Sequence, residues 1–216
     1  MKTLLKLVFV FALATMLRAG DVLDRIVATV NRQPILQSDW EEALRYECFL
    51  NQRMLTSLTP EETKAALQRL IDQTLLSQQM KAAATPQVAT EADITGRIRE
   101  LRAQLPGAQD DTRWRQALAH YGLTEAAFRQ HLALQLETMR FVDLKFRPAI
   151  RIDQASVEAY YKDQLLPQLQ QKGRQPTPEL SAVSPKIEEV LLQKKMDEML
   201  TAWLATLRTQ SSVEMR

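Results

Sequence analysis

Residues 24–40 read DRIVATVNRQPILQSDW, and this stretch predicts a β-hairpin that runs directly into a helix. The segment Ile26–Val30 is short, apolar and rich in β-branched side chains, which favours a strand. Asn31 tolerates turn conformations, and Ile35–Leu36 supplies a second short apolar segment. The pair Ser38 and Glu41 has the pattern of a capping box, so we expect the first helix to start at Ser38.

Capping and stop signals divide the rest of the chain into helices. The clearest is Thr59-Pro60-Glu61-Glu62, which joins an N-cap threonine, a proline at the first helical position and a glutamate at the third. Further helix starts are predicted at Thr90, Asp110, Thr124, Asp153 and Ser184. Helix ends are predicted near Ser57, before Pro86, at Pro106-Gly107, at Gly122 and near Phe146. The pattern predicts a mainly α fold, a helical bundle with a short N-terminal β-hairpin.

The expected domain organisation is a signal peptide over residues 1–20 and one module over residues 21–216. Within the module we expect the hairpin and helices over 21–150, a helix over 151–171, a linker over 172–183, and a C-terminal helix with a short strand over 184–216. The linker is inferred from its glycine, proline and polar residues. The last strand is expected at Val213-Glu214-Met215.

The N-terminal segment has the features of an export signal. Lys2 and Lys6 precede an almost wholly apolar run, Leu7–Leu17. Cleavage is expected either after Ala14 or near Gly20, where small residues occur. An uncleaved anchor is the alternative, but the apolar run is short for an ordinary transmembrane helix. We therefore expect export across the membrane and no stable membrane insertion.

Charge and cysteine content exclude some classes of partner and site. Removing residues 1–20 takes away Lys2, Lys6 and Arg18 and no acidic residue, which leaves 25 basic against 26 acidic residues and turns a net charge of +2 into −1. Nucleic-acid binding is not expected, because it needs clustered lysine and arginine. Cys48 is the single cysteine, so no intramolecular disulfide can form, and a buried inert thiol is favoured over a reactive one.

No catalytic, metal-binding or cofactor motif emerges from the residues. The two histidines, His120 and His131, are eleven positions apart, which is not the close spacing of common metal sites. A G-x-S-x-G elbow, a phosphate-binding glycine loop and a Cys-x-x-Cys motif are all missing from the sequence. We expect no catalytic residues, no metal and no cofactor.

Four segments resemble the SurA family of periplasmic chaperones and its parvulin-type prolyl isomerase relatives. They are DRIVATVNRQPILQSDW (24–40), YGLTEAAFRQHL (121–132), IRIDQASVEAYY (150–161) and IEEVLLQKKMDEMLTAWLATLR (187–208). The resemblance runs in order along the chain and is not confined to one motif. It implies a chaperone module in which the C-terminal helix packs back on the N-terminal bundle.

The same resemblance implies that the catalytic half of the family pattern is missing. In the isomerase-bearing relatives, a segment like residues 150–161 leads into a parvulin domain. Here it leads into about a dozen linker residues, Lys172–Val183, whereas a compact domain needs at least roughly 50 residues. We therefore expect no isomerase. A homodimer formed by exchange of the C-terminal helix is a further hypothesis, since exchange between protomers is a common route to dimers, and the short linker limits how far that helix can travel.

Candidate client-binding residues are apolar side chains near turns and helix ends: Met54, Leu58, Leu105, Trp114 and Tyr121. Methionine is flexible and polarizable and suits surfaces that accept varied apolar partners. For each such residue, packing in the core is the alternative. Trp114 is the most open case, because Arg113 and Arg115 flank it in a short helix. Trp203, which falls on an apolar helical stripe, is assigned to the core.

The sequence therefore predicts a SurA-like periplasmic chaperone that binds unfolded or assembling outer-membrane and other envelope proteins through an apolar groove. Such clients alternate apolar and polar residues and are rich in aromatics. Binding would need neither ATP nor isomerase activity. The alternative is a dedicated periplasmic interaction subunit that serves one secretion or assembly partner. Residual prolyl isomerase activity is a third hypothesis, and the missing catalytic segment argues against it.

Overall fold

A computed structural model describes residues 24–105, 108–171, 173 and 177–216 of the chain. The signal peptide expected over residues 1–20 lies outside the described residues, as do Pro106-Gly107 and residues 172 and 174–176 of the expected linker. The described part is mainly helical, with one small sheet, and this confirms the predicted fold class.

The sheet joins the two ends of the described chain. Strands β1 (Ile26–Val30) and β2 (Gln33–Leu36) form the expected hairpin, and β3 (Val213–Met215) pairs with the other edge of β1, giving the order β2-β1-β3 with both pairings antiparallel. Asn31 and Arg32 turn the hairpin with φ values of +50° and +70°. Two positive φ angles are what a two-residue hairpin turn of type I′ requires, and asparagine tolerates them well.

The helices follow in chain order and are separated by short connections. They are α1 (Gln37–Leu50), α2 (Pro60–Ala82), α3 (Glu91–Gln104), α4 (Asp111–His120), α5 (Glu125–Phe146), α6 (Gln154–Tyr160), α7 (Leu166–Gln171) and α8 (Leu180–Gln210). A π-helical turn, Tyr161–Leu165, links α6 to α7, and 3₁₀ turns occupy Leu55–Ser57 and Arg147–Ala149. No helix in the described ranges has the length and apolar composition needed to span a membrane.

Most of the predicted helix starts are confirmed. Thr59, Thr90, Asp110, Thr124 and Asp153 are the N-caps of α2 to α6, and each side chain accepts a hydrogen bond from a backbone N–H in the first turn. The bonds satisfy donors that have no partner inside the helix, which is why these residue types mark the starts. In α2 and α3 the reciprocal bond of a capping box is also present.

The start predicted at Ser38 is wrong. Helix α1 begins at Gln37, its N-cap is Leu36, and the Asp39 carboxylate accepts from the Leu36 backbone N–H at 2.9 Å. The Ser38 hydroxyl instead donates to the carboxylate of Asp24, which also accepts from the Ser38 backbone N–H at 3.2 Å. Because the Ser38 hydroxyl is hydrogen-bonded to Asp24, fourteen positions earlier, Ser38 does not cap the helix.

The start predicted at Ser184 is also wrong, because α8 begins four residues earlier, at Leu180. The Ser184 hydroxyl donates to the Leu180 carbonyl oxygen at 2.7 Å and lies inside the helix. Pro185 is accommodated near the start of α8, where the helix loses one hydrogen bond but continues. The expected linker is correspondingly shorter, and α1 likewise ends at Leu50, before the expected Ser57.

Two hydrophobic cores divide the molecule. The aromatic core lies among α1, α3, α4 and α5 and consists of Tyr46, Phe49, Ala89, Ile94, Ile98, Ala108, Trp114, Leu118, Leu123, Phe128 and Leu132. The sheet core lies among the sheet, α2 and α8 and consists of Val27, Ala28, Val30, Ile35, Leu67, Ile71, Leu75 and Leu207. The first is drawn from one continuous stretch of sequence, whereas the second needs both ends of the described chain.

Helix α8 packs back on the N-terminal helices, as the resemblance implies. Its middle part contacts the end of α5 in a third, smaller cluster around Val142, Phe146, Ile150 and Met196. Trp203 is half-buried and packs against both this cluster and the sheet core, which agrees with its assignment to the interior.

Hydrogen bonds then close the chain at the hairpin turn. The Asn31 backbone N–H donates to the Ser212 carbonyl at 2.9 Å, and the Ser212 N–H donates to Asn31 Oδ1 at 3.0 Å. The Asn31 side-chain amide also donates to Gln78 of α2 and to Ser211. Asn31 therefore connects the hairpin, α2 and the residues that follow α8.

Candidate functional site: an apolar groove between the two cores

A groove of about 630 Å³ lies between the hairpin, the C-terminal half of α2, the segment that follows α2, and α5. Its apolar lining consists of Pro34, Ile35, Leu70, Met80, Pro86, Val88 and Leu134. One wall comes from the sheet-core side of the molecule and the other from the side of the aromatic core. A concave apolar surface with a few polar groups is the usual form of a ligand-binding site.

Helical periodicity supplies two sides of the groove. On α2, Leu70, Thr74, Ser77 and Lys81 recur at spacings of three and four residues and line one side. On α5, Gln130, Leu134 and Glu137 do the same on the other. The strand β2 contributes Pro34 and Ile35 at one end. Proline on an edge strand removes a backbone donor, which reduces the tendency of that edge to pair with another chain.

The segment that follows α2 is held against α5 by its backbone. Ala89 N–H donates to Glu137 Oε1 at 3.0 Å, and the Arg140 guanidinium donates to the Val88 carbonyl oxygen at 3.0 Å. Arg140 also pairs with Asp93 at 2.7 Å, and with the Thr90 hydrogen bonds it lowers the pKa of Asp93 well below its ordinary range. With its backbone fixed in this way, Val88 stays 65% exposed at the rim of the groove. An apolar side chain is thus presented to solvent at a fixed place.

His131 lines the groove and is the centre of a small set of polar contacts. His131 Nε2 lies 3.0 Å from Glu42 Oε1, and its ring stacks on Tyr46 with 5.0 Å between centroids. The Tyr46 hydroxyl donates to Gln135 Oε1 at 2.7 Å, and burial raises the pKa of Tyr46. These contacts fix the histidine ring against α1.

A second cavity of about 380 Å³ adjoins the groove, since His131 and Gln73 line both. Its apolar lining includes Leu76, Met139 and Leu204, so it reaches from α2 and α5 to α8. Met139 is 60% exposed there. The groove and this cavity together offer apolar surface on both sides of His131.

The residues predicted to bind clients lie elsewhere and do not form one site. Met54 is 50% exposed in the connection between α1 and α2, and Leu58 is half-buried beside a third cavity of about 230 Å³. Leu105 and Tyr121 are half-buried and pack against the aromatic core. None of these four residues lines the groove.

Trp114 belongs to the interior. It is 1% exposed, and its ring meets those of Phe49 and Phe128 edge-on at 5.5 and 5.3 Å between centroids. The arginines on either side of Trp114 suggest an exposed position. The Trp114 ring nevertheless lies on the inner face of its short helix, where residues of α1, α3 and α5 cover it. Trp114 therefore has no surface to offer a client.

The groove residues that sequence reasoning missed include Val88, Pro34 and Leu134. A usable signal for Val88 exists: it is an apolar residue in the loop between the end of α2 and the cap of α3, where polar residues are the norm. Leu134 and Pro34 carry no comparable signal, since their role depends on elements that are distant in sequence.

The other sequence-predicted sites are readily placed. Cys48 is 3% exposed, and burial raises the pKa of its thiol, which suits the expected inert role. His120 is exposed and His131 is half-buried beside Glu42. Over the part of the chain that the structure covers, no group of three or more His, Cys, Asp or Glu side chains is placed to hold a metal ion.

Comparisons with known proteins point to one family. The family described as the SurA-like N-terminal domain matches residues 2–141. Among solved structures, the fold is similar to that of a chain from a study of the virulence factor PEB4 and the periplasmic protein Cj1289, two SurA-like chaperones of Campylobacter jejuni, with a TM-score of 0.53 and 12% sequence identity. That match covers 89% of this chain and 99% of the other. No curated protein matches the sequence.

Proposed function

This chain belongs to the family of the SurA-like N-terminal domain, and on that premise we propose that it is a periplasmic chaperone for unfolded or assembling outer-membrane and other envelope proteins. The family and the fold support a chaperone role. The observation that supports a client-binding site is the apolar groove of about 630 Å³ beside His131. Clients would occupy this groove as extended segments.

The groove suits weak and reversible binding. Its apolar residues come from several elements and are interspersed with glutamines, so a client gains apolar contact without meeting a single deep pocket. Met80 lies in the lining and Met139 in the adjoining cavity, and methionine adapts to varied apolar partners. Weak contact of this kind releases a client as it folds, which is why the proposed mechanism requires no ATP.

The proposed role does not include prolyl isomerase activity, and the spacing of α7 and α8 supports this. Helix α7 ends at Gln171 and α8 begins at Leu180, so eight residues lie where the isomerase-bearing relatives insert a catalytic domain. A proline-limited refolding assay tests this part of the proposal. We expect no acceleration above the uncatalysed rate.

The periplasmic location is proposed from the apolar, lysine-flanked N-terminal segment and from the family. Fractionation of cells that express the full chain tests it. Recovery in the periplasmic fraction, with the mass of a chain shortened near residue 14 or 20, is the expected result. Full-length protein in the membrane fraction would instead support an uncleaved anchor.

The chaperone proposal is tested by suppression of aggregation. A urea-unfolded outer-membrane β-barrel protein is diluted into buffer with the purified mature protein, and light scattering is followed. We expect scattering to fall with a several-fold molar excess of the chaperone. No effect at that excess would contradict a general chaperone, and a single stoichiometric partner in a pull-down would then favour a dedicated interaction subunit.

A matched pair of variants tests the groove itself. Val88→Gln changes an apolar side chain at the rim of the groove, whereas Leu144→Gln changes one of similar exposure, 57% against 65%, that lies on α5 outside the three cavities described above. Both side chains are exposed, so neither change should unfold the protein. We expect weaker suppression from Val88→Gln and wild-type suppression from Leu144→Gln. Equal behaviour of the two variants would place client binding elsewhere.

A further inference from the structure

The groove carries an uneven distribution of charge beside its apolar floor. Its lining includes the carboxylates of Asp39, Glu42 and Glu137, and Lys81 is the one lysine or arginine among the lining residues that the structure describes. An apolar surface with this surplus of carboxylates favours one class of segment over another, since complementary charge selects among ligands that fit the same apolar surface.

Two of the carboxylates are held by one oxygen each. Glu137 Oε1 accepts from the Ala89 backbone N–H at 3.0 Å, and Glu42 Oε1 contacts His131 Nε2 at 3.0 Å. For both side chains, no partner of the second oxygen occurs among the described residues. Each carboxylate is therefore fixed in place with an acceptor that a ligand cation can reach.

Asp39, one helical turn before Glu42 on α1, repeats this arrangement. Its Oδ2 accepts from the Leu36 backbone N–H at 2.9 Å, and its Oδ1 has no hydrogen-bond partner within the described ranges. By contrast, Glu62 and Asp72, which lie outside the groove, are each paired with an arginine through both oxygens. The acceptors in the groove are thus left available, whereas those of Glu62 and Asp72 are not.

Resting on the proposed function, we propose that the groove selects extended, unfolded segments in which a lysine or arginine lies next to apolar or aromatic residues. The methylene stem of such a side chain lies along apolar surface while its charged end reaches a carboxylate. Leu134 and Glu137, one helical turn apart on α5, offer these two surfaces side by side. A glutamate or aspartate in the same position of the segment meets repulsion, which adds specificity against acidic segments.

Fluorescence anisotropy with labelled peptides tests the inference on the mature protein. Three peptides share one apolar and aromatic sequence and differ at a single position, which is lysine, glutamine or glutamate. At low salt we expect the lysine peptide to bind about two- to fivefold more tightly than the glutamine peptide, as expected for one exposed ion pair, and the glutamate peptide to bind most weakly. The difference should shrink as salt is added, because salt screens exposed charges.

Neutral variants of the groove separate charge from shape. Glu42→Gln and Glu137→Gln keep an acceptor oxygen for His131 and for Ala89 N–H, so the groove should keep its form. In the double variant, which keeps Asp39, we expect the preference for the lysine peptide over the glutamine peptide to fall clearly. The matched control is Glu100→Gln with Glu188→Gln, two exposed glutamates outside the lining, which should leave the preference unchanged.

The outcomes distinguish this inference from the proposed function. Binding of all three peptides with equal affinity would overturn the charge preference and leave the chaperone groove standing. A preference that is undiminished in the double groove variant, or that falls equally in the control, would overturn it as well. If none of the peptides binds while aggregation is still suppressed, the groove is not the client site and the inference fails with it.

Discussion

The aromatic core and the sheet core differ in how the chain builds them. Every residue of the aromatic core comes from residues 46–132, and its rings pack edge-on in a local group. The sheet core joins residues 27–75 to Leu207, and β3 must return to β1 before the sheet is complete. One wall of the groove thus depends on the middle of the chain alone, and the other also depends on the far end of the chain.

The two walls of the groove therefore depend on different parts of the chain. Val88 and Leu134 lie on the wall next to the aromatic core. Ile35 and Leu70 lie on the wall next to the sheet core, which is complete only when α8 and β3 are in place. Changes in the aromatic core should act on overall stability. Changes at the return of the chain should act more locally, on the hairpin and on the groove wall that it forms.

The largest effect is expected from Phe128→Ala, which removes the centre of the aromatic core. Phe128 is fully buried, and its ring contacts Tyr46, Phe49 and Trp114 at centroid distances of 5.4, 5.2 and 5.3 Å. We expect the free energy of unfolding to fall by about 3–5 kcal/mol, the usual loss for a buried phenylalanine. Urea unfolding followed by circular dichroism measures it. A loss below about 1 kcal/mol would mean that the core is not closely packed.

A pair of leucine variants compares the two cores directly. Leu118→Ala in the aromatic core and Leu207→Ala in the sheet core remove the same group from sites that are 1% and 6% exposed. Each should cost about 2–4 kcal/mol of unfolding free energy. The location should differ: hydrogen exchange is expected to accelerate across β1 and β3 in Leu207→Ala, with α3 and α4 still protected. Uniform acceleration in both variants would remove the distinction between the cores.

A smaller loss of stability is expected from changing Asn31, which joins the hairpin to the residues before β3. Asn31→Ala deletes the side-chain bonds to Gln78, Ser211 and Ser212 and leaves alanine, which tolerates the left-handed region less well than asparagine, at a φ of +50°. We expect a loss of about 1–2 kcal/mol in unfolding free energy. Asn31→Gly is the control, because glycine adopts positive φ without strain, and it should be roughly 1 kcal/mol more stable than the alanine variant. Equal stability of the two variants would assign the whole effect to the side-chain bonds.

The smallest effect is expected at Glu62, in the first turn of α2. The Arg53 guanidinium and the Thr59 backbone N–H lower the pKa of Glu62 from 4.5 to about 2. The depressed pKa stabilises the folded state above pH 4.5, and this contribution is lost as the pH falls towards 2. Glu62→Gln should therefore be slightly less stable than the wild type at pH 7, and the two should converge in acid. Thermal unfolding at pH 7 and pH 3 measures the difference, which should stay constant if the pKa is not lowered.

Much of the fold could be predicted because its signals are local. The N-caps at Thr59 and Thr124 act on backbone N–H groups within their own first turn, so a short window of sequence contains the whole interaction. The helix starts predicted at Ser38 and Ser184 are wrong for two different reasons. Asp24 holds Ser38 from outside that window, and α8 tolerates Pro185 because a helix survives one missing bond near its start.

The site could not be predicted in the same way. The groove joins β2, α2, the segment around Val88 and α5, and sequence spacing does not tell which helical faces meet. Trp114 shows a different error. Its two flanking arginines indicate that the neighbouring positions are exposed, but they do not indicate the position of the Trp114 ring, which packs inward. Periodicity separates an inner face from an outer face, but it does not distinguish a core from a groove.

The pairing of β3 with β1 also makes closure of the sheet a late event in folding. Asn31 and Ser212 are 181 positions apart, so the hairpin gains its third strand only when the far end of the chain has reached it. Until then one edge of β1 has no partner, and a two-stranded hairpin alone is only marginally stable. A product that stops short of residue 211 keeps this edge open for good, where proteases and other chains can reach it. The last strand thus acts as a test of completeness: only chains made through to β3 close the sheet.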